Sequence, residues 1–352
     1  MEDAVGSSSH VQSQDHVPKA ERESRSVHEH HQHNHPSAQP KMTTTTLTAA
    51  TSSMMPAMTI YNVNVQFDPA TPQAGKPTSL SLVVTEQKVG EPIKDFDIIH
   101  DKLMHLVIVN REDLSYFAHI HSKLDKETGI FNIAHTFSKA GKYKMWIDAN
   151  PKDGMQILAA FAFNVEGKPV HSPATIVPDT PSKKKVVIAD GQSYQVTLDF
   201  QPKPLVARSS VKMTFEIKDA NNKPISNLEP LMAAGGHCVI IDADSHEFLH
   251  VHPVEEVGGD DDVAHRVLTR LASWRVGPSV SFMANFPKSG LYRAWGQFQH
   301  EGRLLTADFT FEVQDELKLA TTIFAIARES NRSGYLLLVI IFAGNLLPHF
   351  SC

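Results

Sequence analysis

Six histidines fall into one arrangement that occurs twice, about 132 residues apart. The first copy runs Leu103-Met-His105-Leu-Val-Ile-Val, passes a short polar turn, and continues Tyr116-Phe-Ala-His119-Ile-His121. The second runs Gly235-Gly-His237-Cys-Val-Ile-Ile, turns, and continues Glu247-Phe-Leu-His250-Val-His252-Pro253. Imidazole is the commonest side-chain ligand for transition metals at neutral pH. Alternate residues of a strand share a face, so His119 and His121 point the same way, as do His250 and His252. If Arg111 to Asp113 forms the first turn, the hairpin sets His105 opposite His119. A second turn centred on Ala243 and Asp244 sets His237 opposite His250. Opposed residues on one face have Cβ atoms about 4.5–5.5 Å apart, close enough for three imidazoles to meet a cation at about 2.0–2.1 Å. The expectation is one ion per copy, held by His105, His119 and His121 and by His237, His250 and His252.

All-imidazole sites suit zinc, copper, nickel or iron, and intrinsic affinity peaks at Cu(II). Upstream, His28 to His35 holds five histidines in eight residues, and Met54, Met55 and Met58 follow. His-rich tracts bind metals, and thioether sulfur suits Cu(I). Copper is therefore the expected ion, with zinc the alternative. No HExxH, nucleophile elbow, phosphate loop or carboxylate pair accompanies either trio, so a catalytic role is not expected. The competing reading makes the histidines structural and the chain an interaction or adhesion module. Cys238 and Met104 adjoin His237 and His105 and so face away from the trios. His246 shares the parity of His250 and is a candidate supporting partner. Val107, Phe117, Val239 and Phe248 share the histidine face and either exclude water there or form ordinary core. His100, His135, His265 and His300 read as lone histidines, and Trp146 and Trp295 as core anchors.

The surrounding segments repeat as well. Tyr61-Asn-Val-Asn-Val-Gln-Phe67 has a counterpart in Tyr194-Gln-Val-Thr-Leu-Asp-Phe200, and Gly141-Lys-Tyr143-Lys-Met-Trp146 in Gly290-Leu-Tyr292-Arg-Ala-Trp295. Matched segments in one order mark an internal duplication. Each unit alternates apolar and polar residues over short runs broken by Gly, Pro, Asn and Asp, the pattern of a β-sandwich. The expected organisation is all-β: a polar, disordered His/Met-rich tail over 1–57, one sandwich over 58–166, a proline-rich linker over 167–185, a second sandwich over 186–314 and an apolar tail over 315–352. Lys183, Lys184 and Lys185 read as a solvated spacer within the linker, and Asp260 to Asp262 as an exposed loop.

The net charge of −6 with histidine neutral argues against a nucleic-acid partner. Two cysteines, Cys238 and Cys352, make no disulfide framework. The first residues lack the basic and apolar regions of a secretory signal. Tyr335 to Phe350 is a run of sixteen mostly apolar residues, short of the roughly 20 that span a bilayer and interrupted by Asn345 and Pro348. It reads as a membrane anchor, a packed tail or an unnatural chain end.

The segment from His100 through His105 to His119 and His121, and the ending Phe248-Leu-His250-Val-His252-Pro253, resemble the YtkA-like and related copper-associated β-sandwich modules. In those modules a hairpin frequently ends in His-x-His-Pro; Ser122 stands where the first copy would have the proline. The resemblance covers about 58–166 and 186–314. It implies tandem immunoglobulin-like domains in an extracytoplasmic or membrane-anchored metal-handling protein.

Overall fold

The computed structural model describes residues 61–168, 174–180, 183–254 and 275–316, together with the backbone of 45–49. The regular elements among them are seventeen β-strands. The apolar tail, the His28–His35 tract, Met54 to Met58, the Asp260 loop and His265 lie outside the described residues.

In the first repeat, β2 (Tyr61–Asp68), β3 (Pro77–Glu86), β7 (Ile130–Thr136) and β6 (Lys123–Asp125) form one sheet, with β1 (Thr45–Ala49) paired along the outer edge of β2. The second sheet runs β5 (Phe117–Ile120), β4 (Met104–Asn110), β8 (Gly141–Ala149), β9 (Ile157–Val165). All pairings are antiparallel. This is the immunoglobulin-type arrangement, in which consecutive strands divide between two facing sheets. The second repeat follows the same plan. One sheet runs β10 (Lys185–Ala189), β11 (Gln192–Gln201), β12 (Ser210–Asp219), β15 (Ser279–Asn285), and the other β14 (Phe248–Val251), β13 (His237–Asp242), β16 (Gly290–His300), β17 (Arg303–Val313). Within the expected tail, backbone pairing with β2 is seen over Thr45–Ala49.

Alternation places the cores. Val63 and Val65 of β2 and Leu80, Leu82 and Val84 of β3 are buried against Met104, Leu106 and Ile108 of β4. The second core packs Val211, Met213, Phe215 and Ile217 of β12 against Cys238 and Ile240 of β13. Each sandwich also closes its corner in the way immunoglobulin-like domains do. Tyr143 Oη donates to the Lys139 carbonyl at 2.7 Å, and Tyr292 Oη to that of Lys288 at 2.9 Å.

β4 and β13 break the one-face rule, because every residue in them is buried. Their second faces meet each other. Val107, Val109, Leu114 and Trp146 of the first repeat pack with Val239, Ile241 and Trp295 of the second in a cluster separate from both sandwich cores, within one compact unit. The contact is reciprocal. Phe117 stacks on Trp295 (centroids 4.7 Å apart, planes 8° apart), and the equivalent Phe248 stacks on Trp146 (5.2 Å, 17°). Lys144 Nζ donates to the carbonyl of Ser245 at 2.5 Å, while its counterpart Arg293 donates to the carbonyl of Leu114 at 2.8 Å. Trp146 and Trp295 therefore anchor the junction of the repeats, not the core of either sandwich.

The linker is part of this construction rather than a solvated spacer. Ile176 packs into the inter-repeat cluster. Asp179 exchanges hydrogen bonds with the Thr310 backbone (2.8 and 3.0 Å) and accepts Lys183 and Lys185 at 2.6 and 3.0 Å.

Candidate functional site

The two hairpins bring all six histidines to the junction, in a register two residues from the expected one. His119 pairs with Val107 and His250 with Val239. Continuing those ladders sets His105 opposite His121 and His237 opposite His252. The cause is turn length. The first turn spans Arg111 to Ser115, closed by Asn110 N–H to the Tyr116 carbonyl, where three residues were expected. The second spans Ala243 to His246, closed by Asp242 N–H to the Glu247 carbonyl, where two were expected. Leu114 and Ser245 occupy equivalent left-handed positions (φ 53° and 57°) that let the chain make the longer reversal. A two-residue slip preserves the face, because side chains alternate with period two. The partners changed, yet every histidine stayed on the side the sequence assigned.

That side faces the other repeat. The ring centroids of His105, His119 and His250 lie 5.1–5.3 Å apart, and those of His237, His250 and His252 4.7–5.6 Å. In each of these two groups the nitrogens fall within 4.8 Å of one another. His237, His250 and His252 of the second expected trio are thus brought together. In the first, the His121 ring lies 4.8 Å from those of both His105 and His119, with its Nε2 3.1 Å from His105 Nδ1, and His250 from the opposite repeat approaches the same pair.

The outward nitrogens fix the tautomers. His105 Nε2 lies 2.9 Å from the Ile99 carbonyl and His237 Nε2 3.1 Å from the Leu231 carbonyl. A carbonyl only accepts, so both Nε2 atoms carry hydrogen and both Nδ1 atoms carry lone pairs. His119 Nδ1 donates to Gln297 Oε1 at 2.8 Å, leaving Nε2 as the acceptor. His105 Nδ1 and His119 Nε2 then sit 3.1 Å apart with no proton between them. His237 Nδ1, His250 Nε2 and His252 Nε2 are buried without a hydrogen-bond partner among the described residues. His250 Nδ1 faces Asp148 Oδ2 at 3.6 Å, an electrostatic approach longer than a hydrogen bond. Polar groups thus hold the far side of the His105, His119, His237 and His250 rings, which is how proteins orient imidazole ligands. The 3.1 Å separation is close to the roughly 3.3 Å edge of a tetrahedron whose bonds measure about 2.0 Å.

Burial disfavours charge on five of the six histidines. Desolvation first, and then the neighbouring imidazoles, hold His119 and His237 well below the ordinary histidine range and lower His105. The same causes bring His121 to about 3 and His252 to about 2. Burial pushes the Asp148 carboxyl up, but the approach of His250 and the Gln156 amide outweighs it and leaves it lowered.

Asp148 and Gln297 were not foreseen. Each stands two residues after the matched tryptophan, at Trp146 and Trp295, so strand alternation puts both on the histidine face; that repeated spacing was the available signal. His100 was read as a lone histidine, yet its ring stacks on His252 with centroids 3.4 Å apart. His246 does not support the trio: it groups with Asp242 and Asp244 at the turn. His135 contacts Tyr116 Oη at 2.6 Å, and His300 contacts Tyr194 Oη at 3.2 Å. Cys238 faces the second sandwich core, where burial pushes its thiol up, and Met104 lies in the first core, so neither is placed to ligate.

No curated protein matches the sequence. Among solved structures, the Escherichia coli adhesin FdeC matches at 15% identity and TM-score 0.22, over 72% of this chain and 64% of its own. The chicken CNTN1 FN1–FN3 domains match at 9% identity and TM-score 0.19, over 71% and 66%. Trypsin-activated α2-macroglobulin from E. coli matches at 11% and TM-score 0.18, over 69% and 15%. The chain thus spans less than two thirds of the adhesin, and TM-scores of this size leave these likenesses without bearing on function. The duplication has a firmer counterpart: residues 57–167 and 185–315 each match a family described as a domain of unknown function, DUF8832, and the chain belongs to that family as a tandem pair.

Proposed function

We propose that this chain is a transition-metal-binding protein whose ion sits among the buried histidines between the two repeats. The observation that carries the reading is the set of converging lone pairs. His237, His250 and His252 turn unpartnered nitrogens inward, and the outward hydrogen bonds of His105 and His119 leave their lone pairs facing each other. Burying an acceptor without a donor costs about 1–3 kcal/mol, and a cation is the group that relieves several such acceptors at once. An open groove lined by Phe117, His119, Ile120, Trp295, Gln297 and Thr306 leads from solvent to His119 and offers an entry path. Copper is the preferred ion, because all-nitrogen sites bind Cu(II) most strongly and the His28–His35 tract and Met54, Met55 and Met58 would gather copper nearby; zinc is the alternative. The role is binding and handling rather than catalysis.

A second reading keeps the chain as an interaction module, and the reciprocal stacking of Phe117 on Trp295 and Phe248 on Trp146 favours it. The histidines would then serve only to join two immunoglobulin-like domains into one rigid platform. Titration of the whole chain separates the two readings. The five histidines of the His28–His35 tract would be replaced by serine, and Cu(I), Cu(II) and Zn(II) compared against a form with the six junction histidines also changed to alanine. Binding by the parent that is lost in the folded six-histidine variant supports the metal reading. A folded parent that binds none of the three ions leaves the platform.

Asp148→Asn tests the supporting partner of His250. The expected result is a loss of metal affinity of about tenfold, the usual consequence of removing a carboxylate behind a ligating imidazole, with little change in stoichiometry. Unchanged affinity by isothermal calorimetry would show that Asp148 takes no part.

A further inference from the structure

We infer that the two trios are not two independent sites but one centre shared by the repeats. Its first ion takes His105 and His119 from the first sandwich and His250 from the second. This rests on the metal-binding reading above. The sequence supports two self-sufficient trios, one per repeat, and that arrangement would confine His250 to the second.

The geometry differs in three ways. The His250 ring lies 5.3 and 5.1 Å from His105 and His119, as near as it lies to its own repeat's His237 at 5.6 Å. His250 belongs to both groups whose nitrogens fall within 4.8 Å. One imidazole is thus common to both, and filling one group changes what it offers the other. Finally, the residues that orient the ligands cross the junction. His119 of the first repeat is held by Gln297 of the second at 2.8 Å, and His250 of the second faces Asp148 of the first at 3.6 Å. For His119 and His250 the orienting group comes from the opposite repeat.

Linkage follows. An ion with ligands on both sheets binds the docked arrangement and not the separated one, so it stabilises docking by mass action, by about 2.7 kcal/mol at a hundredfold excess over Kd. By reciprocity, anything that parts the repeats releases the ion.

Two single substitutions make opposite predictions under the two arrangements, in the full chain with serine at the five histidines of the His28–His35 tract and with Zn(II) and Cu(II) as probes. If the centre is shared, His250→Ala lowers the affinity of the first ion by about tenfold or more, and His121→Ala leaves it nearly unchanged. If the trios are independent, His250→Ala retains one ion at parental affinity while His121→Ala weakens one, which overturns the inference. His250→Gln, nearer in size, serves if alanine there prevents folding. One measurement needs no variant: hydrogen exchange of the parent with one equivalent of Zn(II). Added protection in both the β4–β5 and β13–β14 hairpins supports sharing, and protection confined to one repeat overturns it. A parent that binds no ion defeats the metal reading itself, a failure distinguishable from that of two independent equivalents.

Discussion

Alanine at Trp295 is expected to lower the stability of the metal-free chain by about 3–5 kcal/mol, the range for truncating a large buried aromatic. Trp295 is 4% exposed and stacks flat on Phe117 from the other repeat, so the loss falls on the junction and leaves both sandwich cores filled. The distinguishing sign lies in the shape of the unfolding curve. The parent is expected to unfold in urea in one transition, because the second face of each repeat's inner sheet is buried against the other repeat. The variant is expected to separate into two, with each sandwich melting on its own core. Trp146→Ala should behave alike, because Trp146 makes the reciprocal stack on Phe248. The double variant should lose less than the sum of the singles, since a junction already opened has little left to lose. Phe215→Ala is the control: Phe215 lies in the second core, so its loss should destabilise that repeat without dividing the transition. A single transition in both tryptophan variants, with an unchanged slope, would remove the junction from the stability of the chain.

Mild acid is expected to weaken the metal-free chain while its carboxylates are still charged. His119, His237 and His252 all have folded values below the ordinary 6.5, His252 at about 2. Above pH 6.5 neither folded nor unfolded chain binds these protons, and the groups contribute no pH dependence. Below 6.5 the unfolded chain takes protons that the folded chain refuses, so stability falls with pH. Each such imidazole loses about 1.4 kcal/mol per pH unit, or about 2 kcal/mol by pH 5. These three contribute at most about 6 kcal/mol, since coupled imidazoles titrate as a group, and the lowered His105 and His121 act in the same direction. The lowered Asp148 acts in a more acidic window, because its unfolded carboxyl titrates near pH 4. Urea midpoints at pH 7.5 and 5.0, with a chelator present, check this. The parent midpoint should drop sharply, and a folded variant with alanine at the six junction histidines should not. Equal drops in both would place the acid sensitivity elsewhere. Ion binding should likewise extend below pH 6.5, the limit expected for exposed imidazole, because burial moves proton competition to more acidic pH.

The fold was legible because alternation and duplication are local signals. Tyr61, Val63 and Val65 announce a one-faced strand, and matched segments around Tyr143 and Tyr292 announce two copies. The histidine faces were legible for the same reason, since parity survives a register error of two. The register itself was not: it depends on turns whose left-handed residues, Leu114 and Ser245, are not the Gly or Asn that usually mark such positions. The junction was also hidden. Val107 and Trp146 look like core residues in any single sandwich, and only the burial of β4 on both faces shows that a second repeat covers them. The approach of His250 to His105 and His119 follows from that junction, so no reading of one repeat at a time could have found it.

Gln297 and Asp148 occupy equivalent places, one behind His119 and the other facing His250. In a two-fold dimer of identical chains, one gene position sets both places, and they must carry the same side chain. Tandem linkage lifts that obligation. An amide stands on one side of the junction and a carboxylate on the other, so its interior is electrostatically unequal. Any cation reaching it would be drawn toward the His250 side.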